Sequence, residues 1–184
     1  MTDSAKALAP ILAAGGIVLR GNSKPRIAIV RLRREKVWVL PKGKLMPREH
    51  PRDAAKREVL EETGYDVSVH DFLGSMSYAV EGRIKIVQFW LMRAVGRPVG
   101  ELMDDVKAVK WLPLKDAIAT LSRPHEKVFL SHVGPMALKA ARRAARGKSR
   151  RPAHDLEKLG RNAFVKAVGS LIGRVAQAAA RRAG

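Results

Sequence analysis

The chain has 184 residues, 46% of them apolar, and carries 36 Lys and Arg against 17 Asp and Glu, a net charge of +19. That length suits one domain of ordinary size with an appendage, and the absence of cysteine excludes disulfides, thiolate metal sites and cysteine nucleophiles together. No stretch reaches the roughly 18 consecutive apolar residues of a membrane span, and MTDSAKALAPILAAGG lacks the basic start and sustained apolar core of a secretory leader, so a soluble, cytoplasmic protein is expected.

Three short β-type runs come first: Ala14 to Arg20, Arg26 to Leu32 and Val37 to Leu40, rich in Val and Ile and separated by GNSKP and RREK. A Pro-Lys-Gly-Lys loop leads into a helix from about Pro51 to Thr63. Its apolar residues Ala54, Ala55, Val59 and Leu60 recur at helical spacing, and Gly64 stands where a glycine would end it. Strand character returns at Val67 to Tyr78, Arg83 to Ala94 and Val106 to Trp111, with Gly82 and the cluster of Gly96, Pro98 and Gly100 as turns. Pro113 to Leu121 reads as a helix with Pro near its first turn. Strands and helices mixed without a repeated βαβ pattern predict an α+β class with a mixed sheet.

After about Gly134 the composition shifts to Ala, Arg and Lys: residues 135–184 hold 13 basic and 2 acidic residues. Met136 to Arg146 and Asp155 to Arg182 are expected helices, the second with Leu156, Leu159, Val168, Leu171, Ile172 and Val175 near one face. The chain thus divides into a globular domain, 1–134, and a basic helical tail, 135–184. A field of this sign attracts polyanions. For the tail the candidate partners are nucleic acid, an anionic membrane or the domain itself; its one aromatic residue, Phe164, argues against base stacking. Oligomeric state is not legible.

The chemistry lies between Gly43 and Tyr65, GKLMPREHPRDAAKREVLEETGY. Glu58, Glu61 and Glu62 stand at i, i+3 and i+4, so a helix brings them to one face. Three such carboxylates repel one another by up to about a few kcal/mol unless something neutralises them. A hard cation such as Mg²⁺ does so, and it can also activate a water and stabilise charge on phosphorus. A solvated acidic face, salt-bridged to Arg57 and Lys56, is the other reading of the residues alone.

The whole segment resembles the Nudix box, G-x5-E-x7-R-E-U-x-E-E-x-G-U, matched at Gly43, Glu49, Arg57, Glu58, Val59, Glu61, Glu62, Gly64 and Tyr65. A chance match is on the order of 10⁻⁷ per chain. The resemblance implies a Nudix fold, a mixed sheet sandwiched between helices (α/β/α), and a Mg²⁺-dependent phosphoanhydride hydrolase, with Mn²⁺ as a substitute. It implies metal held by Glu58, Glu61 and Glu62, with the backbone carbonyl of Lys42 adding a ligand. Arg57 and Glu49 would orient the carboxylates and loop, and Glu58 is favoured as the base. Outside the box, Asp105 is the best match for a further acidic ligand, with Asp104 and Glu101 behind it. Three departures stand out: Tyr65 where an aliphatic residue is commoner, Arg48 where relatives often carry Gly, and His50 where Ser or Thr is the better helix cap.

WVLPKGKL, SYAVEGRIKIVQFWL, VKWLPLKDAIATL and PHEKVFL are similar to the PKGK-containing Nudix branch, which holds dinucleoside polyphosphate hydrolases, MutT-like enzymes and diphosphoinositol polyphosphate phosphohydrolases. That likeness places Lys42 and Lys44 beside a polyphosphate, with Arg31, Arg33, Arg34 and Lys85 as supplements. Tyr78 is the expected pocket aromatic, and His125 matches a histidine near the phosphates. Both His125 and His132 follow the last expected helix of the domain. The implied partner is a small polyphosphate, a dinucleoside polyphosphate first. An oxidised nucleoside triphosphate, a diphosphoinositol polyphosphate, an RNA 5′ end, or a non-catalytic role in holding a polyanion are the alternatives.

Overall fold

In a computed structural model, residues 9–145 are described; the helix expected over Asp155 to Arg182 lies outside them. Ten elements follow in order: β1 (Ile11–Arg20), β2 (Arg26–Leu32), β3 (Trp38–Val39), β4 (Lys42–Lys44), α1 (Pro51–Thr63), β5 (Val67–Val80), β6 (Arg83–Ala94), β7 (Val106–Leu112), α2 (Leu114–Thr120) and α3 (Pro124–Ala145). The strands form one mixed sheet in the order β3-β2-β1-β6-β5, with β4 added to β1 and β7 to β2. β1 runs parallel to β6, and the other pairs are antiparallel.

Strand alternation explains the layers. On β1, Ala13, Ile17 and Leu19 join Val87, Phe89 and Leu91 of β6 under α2 and α3, which contribute Ala117, Leu121, Leu130, Val133, Ala137 and Ala141. The alternate residues Ala14 and Val18 join Trp90 and Met92 under α1, which contributes Ala54, Ala55 and Val59. Small residues on α1 let it lie close to the sheet, which brings its acidic side against β4. The α/β/α sandwich implied by the box is therefore the fold observed.

The sequence and the fold part company at α3. It is one helix, and the division drawn at residue 134 falls inside it. Gly134 marks no linker: a Cβ there would overlap a Leu114 side-chain methyl, so glycine lets α3 cross α2 closely. Val133, Ala137 and Ala141 all pack into the core, and as far as Ala144 the shift to Arg and Lys falls on the outer face of the helix. His125 and His132 lie within this helix rather than after the last one. No helix among the described residues is long and apolar enough to cross a membrane.

Candidate active site

The loop before α1 is a built turn. Glu49 N donates to Met46 O at 3.1 Å, and Met46 N donates back to Glu49 Oε2 at 2.8 Å. Pro47 and Arg48 form its corners, and Arg48 takes φ 64. A type II turn requires positive φ at its third residue, where glycine is favoured, so Arg48 carries local strain. His50 does cap the helix: its Nδ1 accepts from Arg52 N at 3.3 Å. Pro51 and Asp53 occupy the first turn, and Gly64, at φ 74, ends it with a hydrogen bond to Leu60 O.

Arg57 is the hub of the box. Its Nε and Nη2 donate to the two oxygens of Glu49 at 2.8 Å each, a bidentate pair of the strong kind. Its Nη1 reaches Glu58 Oε1 at 2.7 Å and Glu61 Oε2 at 3.0 Å, and Nη2 also donates to Lys44 O at 3.2 Å. The Glu49 hydrogen bond, foremost, holds the guanidinium protonated well above its usual range, and the same bond lowers the Glu49 carboxyl. Glu49 and Arg57 thus tie the loop to the helix.

The three box carboxylates occupy different surroundings. Glu58 is buried, and burial raises its pKa against the opposing hydrogen bond from Arg57. A Cβ on Gly43 would overlap the Glu58 carboxylate, so the glycine leaves that carboxylate its place against β4. Glu62 is also buried. Its Oε2 accepts from Lys42 N at 2.9 Å, yet burial pushes its pKa up to about 8, with the charges of Glu58 and Asp105 adding to the rise. Glu61 is the more open of the three, and Arg57 bridges it to Glu58. Among the described residues no three acidic or imidazole groups stand ready-gathered around one point; Arg57 holds two of the glutamates and Lys42 N the third.

These residues nevertheless fit a hard divalent cation. Glu58 and Glu62 are buried oxygen donors, and burial is what raises their pKa values, against the nearby charges of Arg57 and Lys42; a divalent cation would offset that cost of burial. Asp105, exposed, lies within electrostatic reach of Glu62. Arg33 pins the loop that carries it: Arg33 N donates to Asp105 O at 2.7 Å, and its guanidinium donates to the carbonyls of Asp104 at 2.7 Å and Val106 at 3.4 Å. Arg33 was expected among substrate cations, and the structure spends it on this loop instead.

Lys42 is also placed differently from its expected role as a phosphate lysine. Its Nζ is buried, ion-paired to Glu126 Oε1 at 2.9 Å and bonded to Leu40 O at 3.1 Å. Lys44 is exposed on β4. Lys85 is partly buried, and its pKa is lowered by burial and then by the charges of Lys42, Arg123 and Lys44. Tyr78 stands opposite Lys85 across the β5–β6 ladder and stacks on His125, ring centroids 4.1 Å apart and 22° from parallel. Burial lowers the His125 pKa, the charges of Arg123 and Lys42 push the same way, and Glu126 opposes. Lys85 thus lies within electrostatic reach of Lys42 and Lys44 and opposite the Tyr78 that stacks on His125, with Lys42 itself committed to Glu126.

Two residues of this cluster are missed by sequence reading. Arg123 lies within electrostatic reach of Tyr78, Lys85 and His125 and pairs with Glu35 at 2.6 Å. Glu126 is fully buried. The signal for both was an acid and an arginine flanking Pro124 and His125 at the start of a helix, in a stretch not read as helical.

Known proteins resemble this chain in both sequence and fold. The 8-oxo-(d)GTP phosphatase of Mycolicibacterium smegmatis is 33% identical over 104 residues, which make up 56% of this chain and 32% of that protein. The asymmetrical bis(5'-nucleosyl)-tetraphosphatase of Mus musculus is 32% identical over 85 residues, 44% of this chain and 58% of that one. The chain therefore spans less than two thirds of the length of either curated relative. Among solved structures, the C. elegans Ap4A hydrolase binary complex matches with a TM-score of 0.62 at 24% identity, over 68% of this chain and 96% of its own, a likeness of fold. With the box, the sandwich and a match of residues 9–132 to the NUDIX domain model, the chain belongs to the NUDIX domain family.

Proposed function

We propose that the protein is a divalent-metal-dependent hydrolase of phosphoanhydride bonds in nucleoside polyphosphates, with dinucleoside polyphosphates as its first substrate class. One observation carries this reading. A buried acidic cluster on α1 meets a strip of cations: Glu62 lies within electrostatic reach of Lys42 and Lys85, and Lys85 within reach of Lys44 and Arg123. A polyphosphate needs cations along its length and an activated nucleophile at the bond to be cut.

Glu58, Glu61 and Glu62 would hold Mg²⁺, or Mn²⁺ in its place, with the Lys42 carbonyl and Asp105 as further ligands. When bound, the ion supplies an acidified water and draws charge from the phosphate oxygens. The chain does the rest. Arg57 orients Glu58 and Glu61, and Glu58 takes the proton of the attacking water. Lys44 and Lys85 hold the departing phosphate, and Arg123 extends the positive strip. The Tyr78–His125 stack offers a flat surface beside Lys85 for a sugar or base. A second reading, hydrolysis of oxidised nucleoside triphosphates, is favoured by the name of the M. smegmatis relative.

The test is a substrate panel with Mg²⁺, run beside a Glu61→Gln, Glu62→Gln double variant. The panel holds diadenosine tetraphosphate, 8-oxo-dGTP, a diphosphoinositol polyphosphate and triphosphorylated RNA. Magnesium-dependent release of ATP from diadenosine tetraphosphate, abolished in the double variant, is the expected result. Faster turnover of 8-oxo-dGTP would transfer the assignment to the second reading. A folded, Mg²⁺-binding protein that cleaves nothing in the panel would overturn both.

A further inference from the structure

We propose that Glu126 is a positioning residue of the active site: from the first turn of α3 it fixes residues 40–42, and through them the Glu62 carboxylate. Its kinetic consequence rests on the hydrolase reading above; its structural consequence does not.

Glu126 has no exposed surface, although it lies 86 positions from the backbone it holds. Both carboxylate oxygens are engaged on the same segment. Oε2 accepts from Leu40 N at 2.7 Å, and Oε1 pairs with Lys42 Nζ at 2.9 Å. Lys42 Nζ closes the ring by donating to Leu40 O at 3.1 Å. Leu40 thus has its N–H and its carbonyl fixed by one ion pair. The α2–α3 junction adds a second strap just upstream: Trp38 N donates to Ser122 Oγ at 2.9 Å, and Ser122 N donates to Trp38 O at 2.8 Å.

The opposite side of the segment touches the box. Lys42 N donates to Glu62 Oε2 at 2.9 Å, so whatever sets the position of residue 42 also sets that carboxylate. Gly43, the next residue, runs over Glu58 with no room for a Cβ. A shift of a few tenths of an ångström in β4 therefore reaches two of the three box glutamates. Stability alone does not account for a pair so deeply buried, because an apolar pair of similar size is often as stable. Control of geometry does account for it, in the way that outer partners of metal ligands orient them.

The experiment uses the full chain with Glu126→Gln, which keeps an acceptor for Leu40 N and loses the charge that holds Lys42. Glu126→Asp, which keeps the charge on a shorter arm, is its companion. Amide hydrogen exchange is measured without metal at Lys42 and, as a control within the core of α1, at Val59. The Mg²⁺ concentration giving half of the thermal stabilisation is measured separately, and kcat and KM on the best substrate of the panel last. In Glu126→Gln, exchange at Lys42 should accelerate about 10-fold with Val59 unchanged, and the Mg²⁺ midpoint should rise by roughly 10-fold, the range expected for loss of an outer partner. kcat should fall by a similar factor with little change in KM, and Glu126→Asp should recover part of each effect.

A folded Glu126→Gln protein with exchange at Lys42 and the Mg²⁺ midpoint at wild-type values would overturn the proposal. So would equal acceleration at Lys42 and Val59, or failure of both variants to fold, since either outcome makes Glu126 a determinant of the fold alone. If the wild type cleaves no polyphosphate, the hydrolase reading fails while the exchange measurement still decides the role of Glu126.

Discussion

Helices α1 and α3 both bring carboxylate to residues 40–44, and they treat its charge in opposite ways. On α1, Arg57 is shared among Glu49, Glu58 and Glu61, while Glu62 accepts a hydrogen bond from the backbone N–H of Lys42. The balance is negative, and burial raises the pKa of both Glu58 and Glu62. On α3, one fully buried glutamate meets one buried lysine, and the balance is even. The first arrangement leaves a demand that a cation can meet; the second holds a shape. Changes on the α1 side should therefore act on turnover more than on stability.

The largest effect should come from Gly43→Ala. The new methyl would displace the Glu58 carboxylate from its place against β4, while the core clusters under α1 and α3 are left untouched. We expect kcat to fall at least 10–100-fold, the scale for disturbing the surroundings of a metal ligand, with a small change in Tm. A variant that unfolds instead, with residual native protein fully active, would show that Gly43 serves the strand and not the carboxylate.

Glu49→Gln should cost less. It weakens a bidentate, charge-assisted pair, leaving Arg57 bonded to Glu58 and Glu61 but no longer tied as firmly to the loop. A loss of about 10-fold in kcat is expected. Stability sharpens the comparison. The folded Glu49 carboxyl titrates below its usual 4.5, so its contribution is present above that pH and lost as pH falls through the lowered folded value. The gap in stability between wild type and Glu49→Gln should be widest near neutrality and narrow on acidification, as measured by urea unfolding across pH. A gap independent of pH would mean that the ionised pair contributes nothing.

The same contrast explains what was legible in the sequence. The box is local: its caps, its helical period and its three glutamates lie within 23 residues, so Pro51–Thr63 is visible to the residue, and β2 and β6 are visible from their Val and Ile runs. The partner of Lys42 is 84 positions away, and nothing in PHEKVFL says which way its glutamate points. The division at residue 134 follows a shift to Ala, Arg and Lys, and α3 runs through that shift from Pro124 to Ala145 because composition on an outer face can change without ending a helix. β4 was read as a loop for a similar reason. Its three residues, Lys-Gly-Lys, have no strand propensity, and they are a strand only because Ala13, Ala14 and Gly15 of β1 pair with them. Arg33, a plausible phosphate cation by composition, is consumed by carbonyls some 70 residues on.

A third way of placing charge sets the lower end of the comparison. Tyr65, the aromatic departure in the box, is buried against Trp111 edge-to-face at 5.2 Å. Arg20 lies over both rings, at 5.6 and 5.1 Å, and donates to the Tyr65 hydroxyl at 2.6 Å. Here a cation is met by ring faces and a phenol oxygen instead of a carboxylate, and Tyr65 earns its position by closing that stack where an aliphatic residue could not. Arg20 is exposed, so the interaction is worth about 0.5–1 kcal/mol. Arg20→Met keeps much of the apolar stem and removes the charge. It should lower stability by about that amount while kcat and the Mg²⁺ midpoint stay at wild-type values, because the stack closes the far end of α1 and touches no box carboxylate. A change in the Mg²⁺ midpoint without loss of stability would show that charge at Arg20 is felt in the acidic cluster, and that the α1 side is one electrostatic unit from end to end.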